Sequence, residues 1–225
     1  MTTQQWLYLL FPMGYLAGAI PFGLIVGLSK GVDPRKNGSG NIGATNVGRL
    51  LGMKYFTIVF VLDLLKGLIP MAVASWVLSR NGPAGERGAV LNLLHLLVGF
   101  SCICGHMFSV FIHFQGGKGV ATSAGVALGL YPFFTVAGLI VAAVWALVYA
   151  VCRYVSLASM IAAAIFPVAV WAIGQWMGWD VFGKQLPLFI FACLVTLMIV
   201  WRHRSNITRL HAGTESRFTG KAKNA

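Results

Sequence analysis

Read for polarity alone, the chain is a series of long apolar runs separated by short polar ones. Residues 6–28 carry no charged side chain and are long enough to cross a bilayer core, which takes about 20 apolar residues as helix. Pro12 and Pro21 mark kink positions inside that run. Residues 30–54 are polar and rich in glycine. Residues 55–78 form a second apolar run, interrupted by Asp63 and Lys66. After a break at 79–88 comes a third run, 89–112, and then a short polar turn at 113–119. Further runs cover 120–151, 157–177 and 186–201, and residues 202–225 form a basic tail.

The run 120–151 contains no charge and would measure about 48 Å as one straight helix, too long for a core of about 30 Å. Gly129, Tyr131 and Pro132 offer a break in its middle. Charge distribution decides whether it crosses once or twice, because cytoplasmic loops collect Lys and Arg. Two crossings place thirteen Lys and Arg on one side, from Lys30 to Lys223, against Arg80, Arg87 and Lys184 on the other. A single crossing divides them nine to seven and orients nothing. The pattern therefore predicts an all-α integral membrane protein, a compact bundle of seven transmembrane helices. Its N-terminus lies outside and its C-terminus in the cytoplasm. Residues 1–225 form one membrane domain, with glycine-rich cytoplasmic loops at 30–54 and 113–119 and a basic cytoplasmic tail at 202–225.

Composition agrees with that class. The 225 residues are 58% hydrophobic and 10% charged, where soluble domains carry about 25% charged residues. The net charge of +12 fits anionic lipid and an anionic substrate better than nucleic acid. Residues 1–5 lack the basic side chain of a signal peptide, so the first run reads as a span. Cys102, Cys104, Cys152 and Cys193 lie in or beside apolar runs without a C-x-x-C pair. They read as packing residues, and no metal or cofactor site is expected.

The chemistry is concentrated in the polar breaks. Asn37-Gly38-Ser39-Gly40-Asn41-Ile42-Gly43-Ala44-Thr45-Asn46-Val47-Gly48-Arg49 mixes glycines with hydroxyl and amide side chains and ends on a guanidinium. Ser39, Asn41, Thr45, Asn46 and Arg49 are the donors of an anion cradle. Gly38, Gly40 and Gly43 also match G-x-G-x-x-G, with Asp63 about twenty residues on. That dinucleotide fingerprint needs a preceding strand, and here apolar helical runs stand on both sides. A second break, Gly116-Gly117-Lys118-Gly119, precedes a predicted helix and reads as a phosphate loop built from backbone N–H groups and one ammonium. It is not a nucleotide-hydrolysing P-loop, since Ile112 stands where that motif needs glycine and no Ser or Thr follows Lys118.

A third break holds Arg153, with Ser156 and Ser159 on one helical face; Ser156 can cap the next helix or touch a ligand. In the tail, His203 and Asn206 share a face beside Arg202 and Arg204. Asp63 and Lys66 are spaced to pair with each other inside a span, and His95 reads as a hydrogen-bonded interior residue.

With these motifs in place, the chain resembles the bacterial acyl-phosphate:glycerol-3-phosphate acyltransferase family over nearly its whole length. The likeness rests on Gly38-Ser39-Gly40-Asn41 through Arg49, on Gly105-His106 with Gly116 to Thr122, on Arg153 with Ser156, Leu157 and Ser159, and on Arg202-His203 with Asn206, Arg209, Gly213 and Glu215. It implies a multi-pass enzyme of the bacterial inner membrane, acting in phospholipid synthesis with its site facing the cytoplasm. The reaction implied moves a fatty acyl group from acyl phosphate to the sn-1 hydroxyl of glycerol 3-phosphate, giving lysophosphatidic acid and phosphate. Ser39, Arg49, Lys118, Ser156, His203 and Asn206 are expected to hold glycerol 3-phosphate. The glycine-loop N–H groups of Gly116, Gly117 and Gly119 are expected to hold the acyl phosphate, with its tail among helices and membrane lipids. Ser109 stands where the family has proline, and Ser205 where glutamate is common.

No histidine is followed by the x4-Asp of acyl-CoA acyltransferases, so no dedicated base is expected, although His203 is a candidate proton acceptor. Acyl phosphate is already activated, and alignment of two anions carries most of the task. An organophosphate or anion transporter is the alternative, but it would place its polar groups near the midplane and favour inverted repeats. A lipid-binding scaffold accounts for the tail and leaves both glycine loops unexplained.

Overall fold

The computed structural model describes residues 1–80, 89–131 and 133–219. Every regular element among them is helical. In chain order they are α1 (Thr3–Ala19), α2 (Phe22–Leu28), α3 (Ala44–Leu51), α4 (Met53–Ser79), α5 (Ala89–Met107), α6 (Val120–Gly129), α7 (Thr135–Cys152), α8 (Val155–Trp176), α9 (Leu186–Arg202) and α10 (Arg204–His211), with a 3-10 turn at Val110–Ile112. Arg87, Pro132, Lys221 and Lys223, which entered the sequence argument, lie outside the described residues.

Five stretches are long and apolar enough to cross a membrane: Thr3–Leu28, Met53–Ser79, Ala89–Ile112, Thr135–Cys152 and Val155–Trp176. The bent pair α9 and α10, which meet at 56°, makes a sixth if taken as one span. The long run from residue 120 does break where Gly129 and Tyr131 stand, ending α6 before α7 begins. With ten residues, α6 is about 15 Å long, half the thickness of a bilayer core.

Two expectations need correction. The first apolar run is two helices, divided at Ile20–Pro21. Pro21 cannot donate a backbone hydrogen bond, and Lys66 Nζ donates to the Ile20 carbonyl at the break, 2.8 Å away. The polar stretch 30–54 is not all loop, because α3 lies within it, with Asn46, Val47 and Gly48 buried. The basic tail also packs on the bundle. After α10, residues 214–219 run back across the end of the bundle, where Glu215 and Phe218 are buried.

Close backbone approach holds the bundle together. A Cβ on Gly18 of α1 would lie 2.1 Å from the Cys102 carbonyl oxygen of α5. One on Gly125 of α6 would lie 2.0 Å from the Leu64 carbonyl oxygen of α4. Small residues at crossings let membrane helices pack backbone to backbone, where lipid supplies no hydrophobic drive. The interior ends in an aromatic group, with Phe134 stacked edge-on against Phe166 at 5.1 Å and beside Phe191 at 5.7 Å. The outward sides of α1, α7 and α9 expose leucine, isoleucine and valine, as a lipid-facing surface does.

Gly125→Val should push α4 and α6 apart and cost about 1–3 kcal/mol, the usual range for overpacking. A lowered unfolding temperature in detergent checks it. Gly138→Ala is the control, because its nearest neighbour, Ala127 Cβ, is 3.3 Å away and the shift should be smaller.

Candidate active site

Three helices begin at one cavity. Gly43 precedes α3, Gly119 precedes α6 and Tyr154 precedes α8, and no side chain caps any of the three. Residues 43–45, 119–121 and 155–156 line the same space. Uncapped first turns present free N–H groups and the positive end of the helix dipole, so the cavity is built to receive an anion. Gly119 supplies this geometry by adopting φ +84°, a left-handed conformation that glycine takes without strain.

The sequence-predicted side chains converge there. Ser39, Asn41, Thr45, Asn46, Arg49, Lys118, Gly119, Ser156, His203 and Asn206 all line the cavity. Lys118 Nζ donates to Asn206 Oδ1. Burial pulls the Lys118 ammonium down to about 8, helped by Arg209, Arg49 and Arg202 and opposed by Glu215. Burial likewise lowers Arg49, and its Nε has no hydrogen-bond partner. His203 is buried with Nδ1 2.8 Å from the Ile199 carbonyl oxygen. A carbonyl only accepts, so Nδ1 carries the proton and the neutral ring keeps its lone pair on Nε2.

Gly116 and Gly117 stand behind the cavity. Their N–H groups are spent on Met107 and His106 carbonyl oxygens, at 3.2 and 3.0 Å, and their own carbonyls accept from Arg202. The expected phosphate contact through these two amides is therefore corrected; the open amides belong to the start of α6. Asn46 is also committed. Its Nδ2 donates to the carbonyls of Pro34, Asn37 and Asn41, and its Oδ1 accepts from Ser39 N, which pins the glycine loop. Ser156 does not cap α8, and donates instead to Glu215 Oε1 at 2.8 Å.

Glu215 is the residue that motif reading left without a role. Its carboxylate accepts from Ser156, from Asn206 Nδ2 at 2.8 Å and from Arg209 Nε at 2.7 Å, and lies 3.8 Å from Arg49. Burial would raise its pKa, but these hydrogen bonds outweigh burial and hold it below the usual carboxylate range. Its spacing after Asn206 and Arg209 was the only signal, and nothing in the sequence says the strap turns back.

Deeper in the cavity are Asp63 and His106. Asp63 Oδ1 pairs with Lys66 Nζ at 2.8 Å and faces His106 Nδ1 at 3.7 Å. The self-pairing read from their i, i+3 spacing is present. His95 meets Ser75 Oγ at 3.0 Å, as expected of an interior histidine. At the departures from the family pattern, Ser109 donates to the Ala19 carbonyl, and Ser205 is exposed on α10.

A second cavity adjoins the first and is almost wholly apolar. Ala124, Ala127, Val141, Ala142, Ala163 and Phe166 are among its walls. Phe60, Val120, Trp145 and Ser159 line both spaces, so the cationic cavity meets the apolar one at these four residues.

Comparison with known proteins agrees with this site. Residues 8–213 match the family model described as glycerol-3-phosphate acyltransferase. A glycerol-3-phosphate acyltransferase of Trichlorobacter lovleyi is 42% identical over 205 residues, covering 91% of this chain and 93% of that protein. One of Sinorhizobium medicae is 44% identical over 211 residues, covering 92% and 90%. The crystal structure of PlsY, an integral membrane glycerol 3-phosphate acyltransferase, in its glycerol 3-phosphate form superposes with a TM-score of 0.77 at 37% identity, covering 94% of this chain and 95% of that one. Its lysophosphatidic acid form gives 0.76 at 36% identity, covering 95% and 96%. The chain belongs to the glycerol-3-phosphate acyltransferase family.

Asp63→Asn leaves Lys66 buried without its counter-charge and should cost about 3–5 kcal/mol of stability. Adding Lys66→Met should recover part of that loss. Thermal unfolding of both variants in detergent checks the pair, and an unchanged single variant would place Asp63 outside the stabilising core.

Proposed function

We propose that the protein transfers a fatty acyl group from acyl phosphate to the sn-1 hydroxyl of glycerol 3-phosphate, giving lysophosphatidic acid and phosphate. The observation that carries this reading is the doorway formed by Phe60, Val120, Trp145 and Ser159, where a cationic cavity meets an apolar one. A reaction that joins a small phosphate ester to a fatty chain needs a polar and an apolar environment on the two sides of the reacting carbonyl. The solved PlsY relatives, in forms with glycerol 3-phosphate and with lysophosphatidic acid, support the substrate assignment.

Ser39, Arg49, Lys118, Ser156, His203 and Asn206 hold the glycerol 3-phosphate, with Asn41 and Thr45 beside them. The amides at the start of α6, from Gly119 onward, receive the acyl phosphate, and its tail lies in the apolar cavity. The substrate hydroxyl oxygen attacks the carbonyl carbon. The carbon–oxygen bond to phosphate then breaks, and the phosphate leaves with the electron pair and takes up the hydroxyl proton. A strong base is not required, because the departing phosphate is itself a proton acceptor. The site contributes alignment of two anions and N–H donors for the developing oxyanion.

We read the chain as a seven-span bundle of the bacterial inner membrane, with α6 as a short crossing. The loops 30–54 and 113–119 and the tail 202–225 face the cytoplasm, supported by the thirteen-to-three distribution of Lys and Arg. A transporter is not favoured, since the polar groups gather at the ends of α3, α6, α8 and α10 and close onto an apolar cavity.

The donor is tested with purified protein in detergent, free of any acyl-phosphate-forming partner. Palmitoyl phosphate should support lysophosphatidic acid formation, and palmitoyl-CoA or palmitoyl carrier protein should not. Comparable turnover with palmitoyl-CoA would overturn the donor assignment.

Lys118 is cationic below its pKa of about 8 and neutral above it. Attraction for the substrate phosphate is therefore present below pH 8, and kcat/KM for glycerol 3-phosphate should fall as pH rises through 8. Lys118→Arg should move that fall to higher pH. Lys118→Met should lower kcat/KM about 10- to 150-fold at pH 7, the worth of one charge-assisted hydrogen bond.

A further inference from the structure

The doorway between the two cavities is framed by side chains of helices that barely meet. Phe60 belongs to α4 and Trp145 to α7, while α7 packs mainly on α8 and α6. An unbroken series of rings joins them. Phe60 stacks on Phe56 at 5.9 Å, Phe56 lies 4.9 Å from Phe218, Phe218 lies 6.5 Å from Tyr149, and Tyr149 stacks on Trp145 at 5.3 Å. Phe218 comes from neither helix. It sits in the strap of residues 214–219 and closes the arch between them.

Its seat is made for it. Phe218 is 2% exposed, and a Cβ on Gly48 would lie 3.0 Å from its Cζ. Its backbone is fixed at both ends, with N donating to the Arg153 carbonyl at 2.9 Å and O accepting from Tyr149 Oη at 3.1 Å. Arg49 donates to the Ser216 carbonyl two residues earlier. The strap thus binds Arg49 of the cradle and the end of α7 through its backbone, and its buried ring touches Phe56 at the start of α4 and Tyr149 of α7.

We propose that Phe218 is a positioning residue for the acyl donor: it holds Phe60 and Trp145 at a fixed separation and so sets the carbonyl of a long-chain acyl phosphate over the substrate hydroxyl. The inference rests on the acyltransferase reading and adds a residue that the motifs do not include. A long chain threads the doorway and depends on its width. A short acyl phosphate presents its carbonyl to the cradle without entering the apolar cavity, so it does not depend on the arch.

The test compares palmitoyl phosphate with butyryl phosphate as donors for purified wild-type, Phe218→Ala, Phe218→Leu and Phe218→Tyr proteins, with glycerol 3-phosphate as acceptor. Phe218→Ala should lose about tenfold or more in kcat/KM for palmitoyl phosphate, the order expected of a misplaced reacting group. With butyryl phosphate it should stay within about threefold of wild type, as should its KM for glycerol 3-phosphate. Phe218→Tyr should restore the palmitoyl rate. Should Phe218→Ala not fold, Phe218→Leu carries the same comparison, since it fills the seat and removes the ring contacts. Equal losses with both donors, or no loss with either, in whichever of these variants folds would overturn the positioning role. Wild-type protein that turns over neither acyl phosphate would instead overturn the acyltransferase reading beneath it.

Discussion

Charge must balance where Arg49, Lys118 and Arg209 meet three uncapped helix starts, and Glu215 supplies much of that balance. The described residues lining the cavity contain two carboxylates, Asp63 deep in the bundle and Glu215 at its mouth. Burial strips the cations of hydration and they repel one another, which is why Lys118 is drawn down to about 8. Glu215 answers four of the cavity's groups with two oxygens. It can do so because residues 214–219 return over the bundle, a course held by backbone bonds: Phe218 N donates to the Arg153 carbonyl, Tyr149 Oη donates to the Phe218 carbonyl, and Arg49 donates to the Ser216 carbonyl. These bonds do not depend on the side chain at position 218. The same carboxylate leaves the cradle cationic overall, so a substrate phosphate finds unspent charge.

Asp63, Lys66 and His106 solve a different problem with similar means. A proline break in the first apolar run frees the Ile20 carbonyl from its helical partner. Lys66 donates to that carbonyl, and Asp63 neutralises Lys66. Thr122 of α6 donates to the Asp63 carbonyl at 2.9 Å, and His106 passes its own carbonyl to the Gly117 amide at 3.0 Å. The ion pair therefore lies beneath the loop that presents Lys118. Intramembrane charges are expensive to bury, and here that cost is offset by joining the broken helix to the floor of the cradle.

Much of this was legible in the sequence, and the failures share a cause. Hydropathy located the apolar helices and the break near Gly129, because lipid imposes a length on every span. Residues from each of the four polar segments meet in one cavity, since polar side chains in such a chain have few places to go. What sequence could not show was which backbone groups were already spent. Gly116 and Gly117 look like phosphate donors in one dimension, but their N–H groups close the turn onto α5. Asn46 looks like a ligand and instead pins its own loop. Helix α3 was read as loop because glycine and polar side chains depress helix propensity, which tertiary burial of Asn46, Val47 and Gly48 overrides. Glu215 and Phe218 acquire their roles only when the tail folds back, a long-range event with no local signature.

The absence of a His-x4-Asp pair then follows from the architecture. An enzyme that takes a poorly activated donor must deprotonate its nucleophile, and so needs a base held by a partner carboxylate. Asp63 is shared between Lys66 at 2.8 Å and His106 Nδ1 at 3.7 Å, and Glu215 is held by Arg209, Asn206 and Ser156. His203 donates Nδ1 to a backbone carbonyl and has no acid behind it. What the fold provides in place of a base is fixed geometry, with cations and helix amides at one end of a doorway and an apolar cavity at the other. Such a site suits the proposed donor, whose leaving group is already a stable anion, because the remaining barrier is then largely one of bringing two like-charged substrates together in register.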